Sequence, residues 1–135
     1  YNVTEQNGFS SYDTSGRIED MMTSTEEWAL TIRASLEHDT LTQADMNVKA
    51  MELYETWDAA LNSLGSELKE RVAEDEFKVL LEEQRAWMAD KEAAVMEAGK
   101  EVEGGSLYAL VVNMKAAELT EARVYELYEM LKENE

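Results

Sequence analysis

Carboxylates are the most abundant reactive groups in this chain, with 30 Asp and Glu against 12 Lys and Arg in 135 residues. Abundance weakens them as a signal. Acid–base catalysis needs one carboxyl group desolvated beside an ionised one, and nothing in the sequence singles out such a pair. His38 is the sole histidine and lies in the polar junction Glu37-His38-Asp39-Thr40. Without cysteines it has no companions for a zinc site, and disulfides and thiolate nucleophiles are excluded by the same absence. Asp13-Thr14-Ser15-Gly16 has a superficial likeness to a calcium loop but lacks the spaced acids and the closing glutamate. Gly104-Gly105-Ser106 ahead of a helix could hold an anion on free amides. Glu101 and Glu103 oppose that, and an interhelical turn is the better reading. No catalytic, cofactor or metal site is expected. The remaining chemistry is recognition, for which Gly104, Gly105, Ser106 and Tyr108 are the candidate contacts, an aromatic beside a turn.

The net charge of −18 narrows the partners. Such a field repels nucleic acid and anionic lipid and favours basic proteins or cations. No apolar run approaches the roughly 18 residues that span a membrane. The chain begins at Tyr1 rather than Met, so a processed form with an export signal or lipid anchor upstream is compatible with it.

Positioning falls to helices. Proline is absent, glycine is scarce at six, and Glu, Ala, Leu and Met are plentiful. The spacing predicts an all-α antiparallel bundle of three long helices with a shorter N-terminal helix, preceded by a flexible arm over 1–22 and forming one domain over 23–135. Tyr1, Phe9 and Tyr12 in the arm are candidates to dock on the body. Ser24 with Glu27 reads as a capping box, so the first helix is placed at about Thr25 to Glu37, with Trp28, Ile32 and Leu36 on one face. Thr42 caps the second, whose stripe runs Met46, Ala50, Leu53, Tyr54, Trp57, Leu61, Leu64, Leu68 and Val72. Gly65 within it marks a kink or a close contact.

A turn at Ala73-Glu74-Asp75 leads to a third helix bearing Phe77, Leu80, Leu81, Gln84, Trp87, Met88, Lys91 and Val95. Gly99 loosens its end, Gly104-Gly105 stops it, and Ser106 caps the last helix. That helix carries Leu110, Val111, Met114, Ala117, Thr120, Val124, Leu127 and Leu131. Glu82–Val95 reads as the organising stretch, because Gln84 on an apolar stripe must find partners for its amide, with Asn47 and Thr120 as candidates. Arg85 and Arg123 are expected to pair with nearby glutamates such as Glu82 and Glu126. The tryptophans are expected to be core or edge anchors.

Taken in order, LTQADMN (41–47), the Y-x-x-W-D-A-A-L-N segment (54–62), QRAWMADKEAA (84–94), GGS (104–106) and LTEAR (119–123) resemble one bacterial family, the LprI-like lysozyme-inhibitor domain. The resemblance covers about 41–131. It implies a small helical bundle on an exported protein or lipoprotein, extracellular or in the cell envelope, with lysozyme binding in some members. Asn47, Asp58, Asn62, Gln84, Arg85, Trp87, Thr120 and Arg123 carry over as family-type residues, read as organising the bundle. Family members often have cysteines in the neighbourhoods that residues such as Lys49, Val95 and Met114 occupy here, so this bundle must hold without a staple, by core packing.

Two functions fit. One is an acidic, non-catalytic binding protein for a basic hydrolase such as lysozyme, with charge accelerating encounter. The other is an accessory envelope module with a different protein or wall partner. A small-molecule or cation sensor would need polar groups converging on a cavity, as Gln84, Asn47 and Thr120 could do.

Overall fold

The computed structural model describes the backbone of residues 10–134 and the side chains of 16–134. Among these, the regular structure is entirely helical: α1 (Ser10–His38), α2 (Gln43–Arg71), α3 (Glu74–Gly99) and α4 (Tyr108–Glu133), with a 3-10 turn at Lys100–Val102. The all-α bundle expected from the spacing is what the chain forms. Thr42 caps α2 as read, its hydroxyl accepting from the Asp45 amide at 3.0 Å. At the start of α3 the Glu76 carboxylate accepts from the Ala73 N–H at 3.4 Å.

Successive helices run antiparallel, which leaves α2 and α4 parallel, and these two share the most extensive interface. Asn47 at the start of α2 bonds to Ser106 just before α4, while Leu68 and Val72 meet Met130 and Glu133 at the far end. The α2 stripe read from the sequence is the centre of the core: Leu53, Trp57, Leu64 and Leu68 are all at most 1% exposed. From α4, Ala117, Thr120, Val124, Leu127 and Leu131 are buried against it. Ala50, Ala60, Ala116 and Ala117 are also buried on these helices, and small side chains permit close approach of two backbones. α1 lies mainly along α2 and α3 mainly along α4.

Two expectations change. α1 begins at Ser10 rather than near Thr25, so the segment 10–22 assigned to the arm is helical and α1 has 29 residues, as many as α2. Ser24 lies inside it and caps nothing. The tertiary environment decides this: Ile18 and Met22 are buried, Arg17 pairs with Glu67 of α2, and burial overrides a polar segment of modest propensity. Further along α1, Arg33 pairs with Glu121 and Glu26 accepts from the Tyr125 hydroxyl, fastening α1 to α4. Burial, and then that hydrogen bond, hold the Tyr125 phenol protonated well above its ordinary range. Tyr1 and Phe9, and the side chain of Tyr12, lie outside the described residues.

The second change concerns α3. The sequence made Glu82–Val95 central, yet α3 is the outermost long helix. Gly99 is its only fully buried residue, and Leu80, Gln84, Trp87 and Lys91 are half-buried. The helix anchoring the fold is α2.

Two glycines on the long helices differ in what surrounds them. Gly65 has open space where a Cβ would stand, so it marks no close contact. A Cβ on Gly99 would instead lie 2.8 Å from both Tyr108 Cε1 and Val112 Cγ1. Gly99→Ala is therefore expected to cost about 1–3 kcal/mol through overpacking. Gly65→Ala is expected to stabilise by about 1 kcal/mol through helix propensity. Urea unfolding of the two variants checks the opposed signs.

Candidate functional site

Two places gather the residues singled out by the sequence: the seam between α2 and α3, and the 100–107 connection at one end of the bundle. The seam exists because α2 and α3 barely touch, leaving long side chains to bridge them. On α2 the positions Tyr54, Asp58, Asn62 and Gly65 recur at three- and four-residue steps, with Asn47 seven residues before Tyr54, and so share one side of the helix. Facing them on α3 are Gln84, Trp87 and Lys91.

One bridge is cationic. Lys91 Nζ donates to the Tyr54 hydroxyl at 2.8 Å and sits 5.0 Å and 5.3 Å from the Tyr54 and Trp87 ring centroids. An ammonium between two ring faces is a stable arrangement even when partly hydrated. The other bridge is Gln84. Its Oε1 accepts from Arg123 Nε at 2.9 Å, and Arg123 Nη1 donates to Glu126 at 2.8 Å. Arg123 is only 8% exposed, and its Nη2 has no hydrogen-bonding partner among the described residues. Between the Gln84 bridge and the start of α3, Leu61, Asn62, Gly65, Leu80 and Gln84 line an open groove of about 270 Å³, which Leu127 also lines.

The structure thus brings Asn62, Gln84 and Arg123 together and places Asp58 and Trp87 on the same seam. It separates the others. Gln84 is not partnered by Asn47 or Thr120, as the sequence suggested: Thr120 is buried in α4 and its hydroxyl has no hydrogen-bonding partner among the described residues, while Asn47 is engaged at the bundle end. A guanidinium satisfies Gln84 because the spacing of α3 against α4 sets Arg123 opposite it. Arg85 points to solvent and pairs with Glu82 at 2.7 Å, as expected, while Arg123 pairs with Glu126.

The bundle end is built differently. Asn47 accepts from Gln43 Nε2 at 2.9 Å and donates to the Ser106 carbonyl at 3.2 Å, pinning the loop to α2. Gly104 has φ +78, a conformation that glycine adopts freely, and the Gly105 amide bonds back to the Val102 carbonyl at 3.0 Å. Ser106 is not the helix cap: Leu107 holds that position without a side-chain cap. Tyr108 rests on the bare backbone of Gly99, which α3 and α4 need in order to converge. The result is a fixed turn carrying exposed Leu107 and Tyr108, flanked by Glu101 and Glu103.

Sequence reasoning missed the Tyr54–Lys91 pair and the exposure of Trp28, which is 54% accessible rather than an anchor. The first was signalled by Tyr54 and Lys91 each falling on an inward stripe. The second had no signal without the rotation of α1. Among the described residues no group of three or more His, Asp or Glu could hold a metal ion, and no helix is long and apolar enough to cross a membrane.

An acidic four-helix bundle with a polar-bridged seam and an aromatic beside its pinned turn defines a small all-α domain. Residues 35–127, more than half of the chain, match the family described as lysozyme inhibitor LprI, and the chain belongs to that family. No curated protein and no solved structure matches it. The match begins in the last turn of α1, so nearly all of that helix precedes the shared segment.

Proposed function

We propose that this chain is a non-catalytic binding protein, exported to the cell envelope or beyond, that engages a basic lysozyme-type hydrolase through the 100–107 turn. The observation carrying this reading is the pinned turn with Leu107 and Tyr108 exposed at 44% and 41%. An apolar pair on a preorganised turn loses little conformational entropy on binding, which is what a central anchor of an interface requires. The net charge of −18 complements a basic enzyme and raises the encounter rate. Membership of the LprI family supplies the class of partner.

Titration calorimetry against a c-type lysozyme at low salt and at about 150 mM, where screening acts over about 8 Å, separates anchored binding from bulk attraction. The expected result is saturable binding at both salts with inhibition of cell-wall lysis, and at least a tenfold loss of affinity, about 1.4 kcal/mol, for Tyr108→Ala. Binding confined to low salt would reduce the interaction to charge alone. No binding at either salt would leave an accessory envelope module as the better account.

A further inference from the structure

Between the second half of α1 and the first half of α2 lies an open cavity of about 440 Å³. This volume falls within the range of small-molecule sites, about 300 to 1,000 Å³. It lies outside the α2–α3 seam and away from the 100–107 turn, and one of its walls, the α1 segment around Trp28, precedes the family match. We infer that this cavity is a saccharide-binding site, with Trp28 as its stacking platform.

Folding does not explain Trp28. Its neighbours Ala29 and Ile32 are 1% and 2% exposed and supply the packing of this turn, while the indole is 54% exposed. An exposed indole adds nothing to helix propensity over alanine. Its flat apolar face lines the cavity together with Ile32 and Ala34, and Ser35, His38, Asp39, Lys49 and Glu52 add polar groups to the same lining. Lys49 and Glu52, both half-buried on α2, have side-chain charges that make no hydrogen bond or ion pair with each other or with any other described residue. Across from them the Ser35 hydroxyl donates to Asp39 Oδ2 at 2.8 Å, which orients that carboxylate.

This combination selects the ligand class. A pyranose has one face of C–H bonds, which packs on an aromatic ring, and a belt of hydroxyls that both donate and accept. Glu52 and Asp39 accept from such hydroxyls, and Lys49 donates to them. A purely apolar ligand would leave the ammonium and carboxylates unserved on desolvation. A phosphorylated one would meet a single lysine within a strongly negative protein. A neutral sugar serves the indole face, the carboxylates and the ammonium together.

The test is calorimetric titration of the chain with the trimer of N-acetylglucosamine and, separately, with maltotriose, followed in parallel by the indole N–H signals in NMR. Saturable binding of at least one sugar, with a Kd on the order of 1 mM or tighter, is expected, with Trp28 shifting most. Trp28→Ala should weaken binding at least tenfold and Lys49→Ala several-fold, with thermal unfolding unchanged because neither side chain is in the core. Failure of both sugars to saturate, or equal affinity in Trp28→Ala, overturns the assignment. None of these outcomes depends on whether the chain binds lysozyme.

Discussion

Trp57→Ala is expected to remove about 3–5 kcal/mol of stability, the largest loss of any single substitution in this bundle. Trp57 is 1% exposed at the centre of the α2 stripe and stacks at a tilt on Tyr125, with ring centroids 5.8 Å apart. Truncation deletes the largest buried side chain and leaves a hole that α2 and α4 cannot close without giving up their register. Trp57→Phe should cost less than half as much. The indole Nε1 is buried and has no hydrogen-bonding partner among the described residues, a state that costs about 1–3 kcal/mol. Phenylalanine keeps most of the packing and removes that burden. Urea unfolding with a common slope for both variants gives the two free energies. If Phe proves as damaging as Ala, the indole nitrogen is contributing an interaction that packing alone does not describe.

How much of this was legible in the sequence differs by helix, and the reason is physical. The stripes of α2 and α4 were readable because both are buried along one long face, and a three-four spacing reports one-sided burial directly. Trp57, Leu64, Val124 and Leu131 all sit where the period put them. α3 misled because its spacing is just as regular, but it packs only edgewise. Leu81 and Met88, both on the stripe, are 39% and 45% exposed, and periodicity cannot tell a helix that is central from one that leans on the outside. α1 misled in the opposite sense. Ile18 and Met22 are core residues in a segment whose Ser, Thr, Asp and Gly content points away from helix, and only contact with α2 fixes it.

Polar partners were the hardest to read. Gln84 needed a partner, and the sequence named Asn47 and Thr120 on chemical type. The pairing with Arg123 depends on the register between two antiparallel helices, where Gly99 admits Tyr108 and Val112, nine and thirteen residues further along the chain. The ion pairs at i and i+3, Arg85 with Glu82 and Arg123 with Glu126, were readable because helical geometry alone determines them. Of the candidate site, the turn at Gly104-Gly105 was visible as glycine content. Its rigidity was not, since that comes from the Asn47 amide reaching across from α2.

Arg123→Ala should produce the second large effect, a loss of about 2–4 kcal/mol, and its form would reveal what the Gln84–Arg123 bridge does. α3 has no fully buried side chain, so its attachment rests on a few half-buried contacts, of which this bridge is the most deeply placed. Removing the guanidinium frees Gln84 and opens space beneath α3, while Glu126, 60% exposed, is simply rehydrated and adds little. Amide exchange should therefore quicken along α3 around Gln84, with Leu53 to Leu68 of α2 still exchanging only through global unfolding. Arg123→Met should fall within about 1 kcal/mol of the parent, because it retains the buried stem and removes the unpartnered Nη2. Lysozyme affinity gives the decisive contrast. The bridge lies in the seam and the proposed contact lies at the 100–107 end, so Arg123→Met should bind as the parent does. A loss of binding in that variant at unchanged stability would move the contact surface to the seam. Conserved affinity would confine the role of Gln84 and Arg123 to holding α3 against α4 and leave the contact surface at the turn.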